Sequence, residues 1–531
     1  MASSADDTPG IGALDNGPEG IDPGAGRAAN RQQIRGSSLL LVGRMIGLGL
    51  DFVAQVLIVR YLEKTEYGAF ALALSIVALG ATACLLGLER TVGRFAPIYQ
   101  ERGDIGRMWG TIVVIVATVA TLGLAVVLGV YAFHGVLGGV VQNEVALSIL
   151  LIMIVLSPLQ ALDSVLIALF ATFGSARSIF FRRYVFAPIL QLSIVVVLIA
   201  TGSGVHLLAL GYVAAAAAGI AIYTVVLLRL LERQGLLRQF DRATLRLPVR
   251  EIFAFSLPLL TTDVVFVLRS SLTVILLEVL RTTEEVADYR AVLPLAVQTL
   301  FVSTSFRFIF TPGASRLYAR EDWHALNDLY WRTATWIALL SFPLFALCVA
   351  FGEPVAVLLF GEPYRAAGTV LSILCIGYYI NGATGFNSLI LRVFGRVRFM
   401  VGVDVLTAGI SLMATVLLIS RFGAIGAAIG TTMSFLTQKA LYQWGLKTQT
   451  TVLAIDPNYV RPYVSIVVGV FVTLLLAVAF RPPIALAFVL VGVVSLTILG
   501  INRQALQIMD TYPELGRFKL MRRIFGDQST P

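Results

Sequence analysis

Ionisable residues lie inside apolar stretches of this 531-residue sequence, where a charge is costly. Arg44 and Asp51 belong to the first stretch and are seven positions apart, which places them on one face of a helix. Asp263 and Arg269 belong to the seventh stretch. Such a side chain at membrane depth costs about 2.5–3.5 kcal/mol on insertion scales and usually faces a cavity or an opposite charge. We therefore expect Arg44, Asp51 and Arg269 to line a water-filled cavity between helices.

The arginines indicate what the cavity would bind. A guanidinium offers a fork of donors to phosphate oxygens and stays charged at any working pH. A metal-ion pore would instead use rings of carboxylates or carbonyls, and a site for lipophilic cations would need acidic residues without matching arginines. The charge mix therefore favours a phosphate-bearing substrate. Asp51, together with Asp263, is a candidate for coupling to protons or Na⁺, or for pairing with the arginines after the substrate leaves.

Other interpretations of these charges stay open. Arg44 and Asp51 could pair with each other across two turns and so help the helix to insert. Arg269 could snorkel to the interface, although its central depth makes that a poor solution. Snorkelling is the favoured interpretation of Arg307 and Lys439, which lie within about two turns of the inner face.

Other kinds of chemistry have little support in the sequence. It contains no Walker loop, dinucleotide fingerprint or nucleophile motif, so we expect neither catalysis nor a cofactor. Cys84, Cys348 and Cys375 all lie in apolar stretches, and the three histidines are scattered, so we expect no disulfide framework and no metal site. The net charge of +9 does not indicate nucleic-acid binding, because the basic excess lies in short loops.

The apolar stretches that position these residues are long enough to be transmembrane helices. The chain is 57% hydrophobic and 13% charged, with a mean hydropathy of +0.85. About 20 residues suffice to cross the hydrocarbon core. We predict an all-α polytopic membrane protein with about fourteen spans at 37–60, 67–89, 108–133, 145–170, 179–201, 205–229, 252–280, 286–311, 332–352, 366–391, 398–420, 423–446, 460–480 and 483–502.

Arginine and lysine alternate between the connections of these spans. Thirty of the forty lie in the two tails, in every second loop or in the span ends next to them, whereas seven lie in or next to the other loops. Positive charge near helix ends is retained on the cytoplasmic side. We therefore predict a multi-pass protein of the inner (plasma) membrane with both termini in the cytoplasm.

The order of the spans predicts two lobes. The predicted units are a disordered cytoplasmic tail (1–36), a first lobe of six spans (37–229), a basic amphipathic linker on the inner surface (230–251), a second lobe (252–446), two further spans (460–502) and a basic cytoplasmic tail (503–531). A short internal repeat supports this division, because the run from Leu57 to Ala71 matches the run from Leu276 to Val292. Repeats of this kind build two lobes around a midplane site in many transporters.

Four groups of residues resemble motifs of a known family, both in their order along the chain and in their predicted depth in the membrane. They are Gly43-Arg44 with Arg60-Tyr61-Leu62-Glu63 and Glu66-Tyr67-Gly68; Phe255-Ser256-Leu257-Pro258; the run from Phe360 to Ala367; and the run from Asn387 to Arg398 with that from Phe422 to Ala428. Over nearly all of 36–500 the chain is similar to the oligosaccharide-lipid flippase (polysaccharide transport) family. That family belongs to the multidrug/oligosaccharidyl-lipid/polysaccharide exporter superfamily.

The resemblance implies two six-helix lobes in a V around a central cavity, plus two C-terminal helices. It also implies transport of a polyprenyl-pyrophosphate-linked oligosaccharide from the inner to the outer leaflet by alternating access. The implied partners are this glycolipid, membrane lipids, and the glycosyltransferases and polymerase of the same pathway. The lipid II flippase branch has an arginine and an aspartate at the spacing of Arg44 and Asp51. That branch also has an arginine where this chain has Leu50, which favours instead a capsule, O-antigen or exopolysaccharide repeat unit.

Two other functions compete with this interpretation. A cation-coupled multidrug exporter of the same superfamily usually needs twelve spans and a cavity dominated by acidic residues. A polyprenyl-dependent glycosyltransferase or polymerase would need acidic residues on an outer loop, and Glu284, Glu285 and Asp288 cluster in one such loop. The alternative for that cluster is a solvated loop whose acids pair with Arg281 and Arg290.

Overall fold

The computed structural model describes residues 43–140, 143–174 and 180–503. Within these ranges the chain is almost entirely helical and contains no β-strand, so the all-α prediction is confirmed. The predicted tail at 1–36 lies outside the described residues, as does nearly all of the predicted tail at 503–531.

The helices of the described residues follow one another with short connections. In chain order they are α1 (residues 43–61), α2 (Lys64–Leu85), α3 (Leu88–Glu101), α4 (Ile105–Ala132), α5 (His134–Val140), α6 (Glu144–Met153), α7 (Leu156–Phe173), α8 (Ala187–Thr201), α9 (Val205–Arg233), α10 (Val249–Leu280), α11 (Thr283–Gln298), α12 (Phe301–Ala319), α13 (Trp323–Ala350), α14 (Gly352–Phe360), α15 (Ala367–Ala383), α16 (Asn387–Val393), α17 (Val397–Gln449), α18 (Val460–Phe480) and α19 (Ile484–Ile501). A π-helical segment, Phe181–Phe186, runs directly into α8.

Ten of the helical stretches searched in the described residues are long and apolar enough to cross a bilayer. One of them, α17, bends at Gly423, and its length of about 80 Å is enough for two crossings of a bilayer. The remaining predicted spans correspond to α1, α10 and the pair α11–α12, each of which contains charged residues. The chain is a polytopic all-α membrane protein.

Helix ends coincide with residues that cap or break helices. Side-chain oxygens of Asp104, Asn143, Thr282 and Asp322 accept hydrogen bonds from backbone N–H groups in the first turns of α4, α6, α11 and α13. Gly202 ends α8 in the left-handed conformation, at φ 64°. These caps allow the chain to reverse within a few residues, so that successive helices pack side by side.

The buried apolar residues form three clusters that show where the two halves of the chain touch. The largest cluster combines residues of α1, α2, α6, α8 and α9 with residues of α10, α11, α13, α15 and α17. A second cluster lies in the first half with the start of α10, and a third lies in the second half. We call the end at the largest cluster the joined end (connections 62–63, 202–204, 281–282 and 361–366) and the opposite end the split end (102–104, 234–248, 320–322 and 394–396). The halves share a core at the joined end and have separate cores at the split end. We call the region between these separate cores the cleft.

The connection between α9 and α10 packs on the first half at the split end. Trp109 of α4 donates from Nε1 to the carbonyl of Leu236 at 3.3 Å, and its ring contacts Phe240 with 5.2 Å between centroids. The backbone also lies close to α4, because a Cβ added at Gly110 would be 1.9 Å from the carbonyl oxygen of Arg246. This connection has one 3₁₀ turn rather than an amphipathic helix. Its placement on the membrane surface stays a prediction.

Helix α10 contacts both halves. Near its start, Phe255 lies edge-on to Phe95 at 5.6 Å, and the guanidinium of Arg94 lies 4.4 Å from the centre of the Phe255 ring. The Tyr99 hydroxyl donates to Glu251 at 2.6 Å. The last turns of α10 belong to the shared core at the joined end. The division into two lobes near residue 252 stays a prediction, and α10 is the helix that links the halves.

Candidate functional site

Helix α1 lies tightly against the π-helical segment of the first half. A Cβ added at Gly43 would be 2.5 Å from Cδ2 of Phe180, and one added at Gly47 would be 3.1 Å from Cδ1 of Tyr184. Small residues at this spacing allow close helix approach. Arg44, next to Gly43, is exposed. The glycines therefore fix α1 against the first half while Arg44 remains accessible.

Asp51 is also exposed and does not neutralise Arg44. No ion pair joins these two side chains in the part of the chain that the structure describes. Asp51 instead lies close enough to Tyr212 of α9 to interact with it electrostatically. One turn further along α1, Gln55 donates to the hydroxyl of Tyr67. The alternative in which Arg44 and Asp51 pair across two turns is not observed.

Arg44 is joined in the cleft by cations of the second half. Arg307 of α12 lies close enough to Arg44 and to Arg392 of α16 for mutual repulsion, and Lys439 of α17 lies close enough to Arg307. We call Arg44, Arg307, Arg392 and Lys439 the cleft cations. They come from four helices, and none of them forms an ion pair with a carboxylate among the described residues. Such a cluster attracts an anion.

Lys439 is held by a break between two helices. Its Nζ donates to the carbonyl of Gly385 at 3.3 Å and to Oδ1 of Asn387 at 3.2 Å. Gly385 has φ 76° and separates α15 from α16. The side chain therefore extends into the protein, and the predicted snorkelling of Lys439 is wrong. The helix break supplies oxygen acceptors at the depth of the lysine, which the sequence pattern alone does not show.

The predicted site residues lie in different parts of the structure. Arg44 lies beside the cleft cations of the other half, whereas Asp51 lies toward the first half. Asp263 and Arg269 lie in α10, but their side chains are outside the described residues, so their place in the cavity stays a prediction. Arg392 is missed by sequence reasoning because it follows the predicted end of a span. Gly385, at the α15–α16 break, is the sequence signal that could have indicated a functional role for Arg392.

Polar contacts hold the two halves together at the joined end. The ammonium of Lys64 in α2 lies 2.9 Å from the carboxylate of Asp288 in α11 and donates to the carbonyl of Pro363 at 3.2 Å. Asn143, the cap of α6, donates to the hydroxyl of Thr283 at 3.2 Å. Each of these contacts joins the first half to the second.

Two arginines bind the ends of helices at the same end of the molecule. Arg60 in the last turn of α1 donates to two carbonyl oxygens in the last turn of α14, at 2.9 and 2.6 Å. Arg281 directly follows α10 and donates to the carbonyls of Ile419 and Ser420, at 2.9 and 2.7 Å. Cations are favourable at helix C-termini, where carbonyls lack helical partners. The helices that begin the two predicted repeats thus end in the same kind of contact.

The sequence relationships agree with this architecture. A profile of the family described as "Polysaccharide biosynthesis protein" matches residues 34–307, which is more than half of the chain. The chain belongs to this family. The match begins before α1, ends in α12 and so includes Arg44 and Arg307. The family resemblance predicted from the sequence motifs is confirmed.

Two relatives extend the comparison. The chain is 20% identical over 412 residues to the "Probable low-salt glycan biosynthesis flippase Agl15" of Haloferax volcanii, covering 77% of this chain and 82% of that protein. It is 29% identical over 167 residues to the "Uncharacterized membrane protein MJ1068" of Methanocaldococcus jannaschii. That second match covers 30% of this chain and only 32% of the other protein.

Solved structures share the fold. The "Lipid II flippase MurJ" in an inward closed conformation has a TM-score of 0.68 and 13% identity, with 91% of this chain and 99% of that chain covered. An inward-facing "multidrug resistance MATE family transporter" has a TM-score of 0.61 and 15% identity, with 78% of this chain and 97% of that chain covered. At these identities the likeness concerns the fold of this member of the polysaccharide biosynthesis family.

Proposed function

We propose that this protein moves a polyprenyl-pyrophosphate-linked oligosaccharide, the repeat unit of a cell-surface polysaccharide, from the inner to the outer leaflet. The observation that carries the proposal is the group of cleft cations, contributed by both halves and unpaired with carboxylates among the described residues. A pyrophosphate loses its hydration when it leaves water, and guanidinium and ammonium groups replace those hydrogen bonds. The relationship to a glycan flippase supports the same substrate class.

Alternating access follows from the two ends of the molecule. The halves share a core at the joined end and have separate cores at the split end, so the split end is where they can part. The connections at the split end are rich in arginine, which supports a cytoplasmic position by the positive-inside rule. In this conformation a pyrophosphate would enter from the inner leaflet. The polyprenyl tail would stay in the lipid while the headgroup crosses between the halves.

The coupling of this cycle to an ion belongs to the same proposal. Asp51 is exposed on α1, without an ion-pair partner among the described residues, and is the candidate carboxylate for a proton or Na⁺. Asp263 of α10 is the second candidate from the sequence. An Asp51→Asn variant that transports normally under every ion gradient would remove Asp51 from this role.

A multidrug exporter fits the cleft less well. Four cations would repel a cationic drug, whereas they would attract a phosphate. The lipid flippase fold also covers 91% of this chain, compared with 78% for the multidrug transporter fold.

An enzyme built on the acidic cluster of α11 also fits less well. Asp288 pairs with Lys64, and Glu285 accepts the backbone N–H of Ala424 at 2.7 Å. These two carboxylates are engaged in contacts between helices, which leaves Glu284 as the exposed carboxylate of the cluster. The proposal assigns this chain no catalytic step.

The test uses a strain that lacks this protein, complemented with wild type or with Arg44→Ala, Arg269→Ala or Arg307→Ala. Polyprenyl-pyrophosphate-linked glycans are extracted and their leaflet is determined by accessibility to a membrane-impermeant reagent. We expect inner-leaflet accumulation in the deletion strain, rescue by wild type, and poor rescue by the cleft variants. Arg365→Ala, at an exposed pair with Glu362 in the joined-end connection, serves as the matched control. Unchanged glycolipids with altered drug sensitivity would instead indicate the exporter, and unpolymerised outer-leaflet glycan would indicate the enzyme.

A further inference from the structure

The first half contains a partly open cavity that is separate from the cleft cations. Its volume is about 660 Å³, and it lies between α2, α3, α7, the π-helical segment, α8 and α9. Binding sites for small molecules commonly have volumes of roughly 300–1,000 Å³. The cavity is therefore of the size that proteins use for organic ligands.

One wall of the cavity is an ion pair whose arginine is buried. Arg182 is 6% exposed and pairs with Asp163 of α7. It also donates to the carbonyl of Gly219 at 3.3 Å and lies 4.3 Å from the centre of the Tyr223 ring. This guanidinium is neutralised and fixed, unlike the cleft cations, so it is a poor site for a pyrophosphate. The Asp163 side chain remains 39% exposed, and its carboxylate can still accept hydrogen bonds from a ligand.

The remaining polar lining includes the charged side chains of Glu89 and Arg183 as well as neutral groups that donate and accept hydrogen bonds. Gln160 is exposed, and its side chain has no hydrogen-bond partner among the described residues. Gln191 donates to the Tyr212 hydroxyl, and Ser164 adds another hydroxyl group. Amide and hydroxyl groups present donors and acceptors together, as sugar hydroxyls do. The polar part of the lining therefore matches the hydroxyl groups of a sugar.

The position of the cavity connects it to the substrate cleft. Tyr212 lines the cavity and interacts electrostatically with Asp51 on α1. Arg183 lines it as well, and its neighbour Tyr184 contacts α1 at Gly47. Helix α1 carries Arg44, so the headgroup site and the cavity adjoin the same helix. The two arginines of the cavity lie in the π-helical segment, a distortion that is frequent at functional sites.

We infer that this cavity binds the first sugars of the glycan while the cleft cations hold the pyrophosphate. The inference rests on the proposed function and adds a separate sugar subsite in the first half. A polyprenyl tail is a poorer occupant, because it would cover the Gln160 amide and the exposed part of the Asp163 carboxylate without offering them hydrogen bonds. Loss of one sugar–protein hydrogen bond here should lower the affinity for the glycolipid and leave the affinity for the lipid without sugar unchanged.

The experiment compares two probes with the purified full-length protein in nanodiscs. One is the polyprenyl-pyrophosphate-linked glycan that accumulates in cells lacking this protein, and the other is bare polyprenyl pyrophosphate. We expect wild type to bind the glycolipid more tightly, and Gln160→Leu to weaken glycolipid binding roughly tenfold without changing binding of the bare lipid. Ser164→Ala should act in the same direction and changes the fold less.

Two further variants separate the possible outcomes. Thr172→Val, also in α7 and with a hydroxyl bonded to the Ala168 carbonyl, should bind both probes as wild type does. Arg307→Ala should lower the affinity for both probes by the same factor. Equal affinity of wild type for the two probes would overturn the sugar subsite. An equal loss of affinity for both probes in Gln160→Leu would also overturn it, because it would show that the cavity binds the polyprenyl tail. Failure of wild type to bind either probe would refute the proposed function itself.

Discussion

At the level of single residues, the cleft cations make the empty cleft electrostatically unfavourable. Arg307 interacts repulsively with Arg44, Arg392 and Lys439, and no carboxylate among the described residues neutralises them by an ion pair. Under the proposed function, binding of a pyrophosphate would remove this repulsion and supply acceptors for the donors. The same charges would then disfavour the ligand-free cleft and favour the occupied one, which would give the substrate a means to shift the conformational equilibrium.

Arg307 tests whether the geometry of the donors matters in addition to their charge. Arg307→Ala removes charged hydrogen bonds worth about 1.5–3 kcal/mol, so affinity for polyprenyl pyrophosphate should fall roughly 10- to 100-fold. Arg307→Lys keeps the charge but loses the planar fork, so it should recover only part of the affinity. Titration of both variants in nanodiscs, with Arg365→Ala as the control, measures the difference. Wild-type affinity of Arg307→Ala would exclude this residue from the site.

The Arg182–Asp163 pair makes a prediction about stability. Asp163→Ala leaves a buried guanidinium without its counter-ion, which should cost about 2–3 kcal/mol, less than a fully buried pair because Asp163 is partly exposed. The midpoint of thermal unfolding in detergent should fall accordingly. A double variant, Asp163→Ala with Arg182→Leu, should be more stable than the single one, because no buried charge remains unpaired. A double variant that unfolds still earlier would show that the pair is not the cause.

The sequence predicts individual charges in spans but not their partners. Arg44 and Asp51 are predicted from their spacing, and the structure finds both exposed on α1. The proximity of Arg44 and Arg307 depends on how two distant helices pack, and no local pattern records that. The same limit applies to Lys439, because its acceptors lie 52 and 54 positions away in the chain.

At the level of helices, the bend in α17 shows how two spans can form one long helix. Gly423 has φ 57° and ψ −131°, a conformation that side chains disfavour. Glu285 accepts the N–H of Ala424 after the bend, and Arg281 donates to the carbonyls of Ile419 and Ser420 before it. Side chains at the α10–α11 junction thus satisfy backbone groups that the bend releases. The predicted spans at 398–420 and 423–446 meet at this bend. The length of the apolar stretches and the glycine between them were therefore enough to predict where the chain bends.

Gly423→Ala should therefore destabilise the protein strongly. A Cβ there would be 1.7 Å from Oε2 of Glu285, and a backbone with positive φ and ψ −131° alone costs about 1–3 kcal/mol for a residue with a side chain. Gly409→Ala is the matched control in the same helix, because nothing lies within 4 Å of its added Cβ. We expect a lower midpoint of thermal unfolding for Gly423→Ala and an unchanged or higher one for Gly409→Ala. Equal midpoints would show that the bend tolerates a side chain.

At the level of the whole molecule, the two halves must separate at the joined end if they alternate. Lys64 and Asp288 form an ion pair between the halves, with side chains only 19% and 10% exposed. Opening this end would separate the charges and expose them to water. The all-α fold follows from the hydropathy of the sequence, but this contact does not, because Lys64 and Asp288 lie in different predicted lobes and within loops that look solvated.

Reversal of one charge should open the joined end. Lys64→Glu places two carboxylates where an ion pair stood, a change of about 2–4 kcal/mol that is large enough to shift a two-state equilibrium tenfold or more. Spin labels at positions 101 and 320 lie on exposed residues at the split end, one on each half. We expect the distance between them to shorten in Lys64→Glu, because closing of the split end accompanies opening of the joined end.

The charge swap provides the control for this shift. Lys64→Asp combined with Asp288→Lys restores an ion pair of opposite polarity, so the distance between the labels should return toward the wild-type value. If Lys64→Glu leaves the distance unchanged, the ion pair does not hold the joined end closed. If the swap fails to restore it, the effect of Lys64→Glu comes instead from Lys64 alone, through its second contact with the Pro363 carbonyl. The two variants together therefore separate a contact between the halves from a contact at one loop.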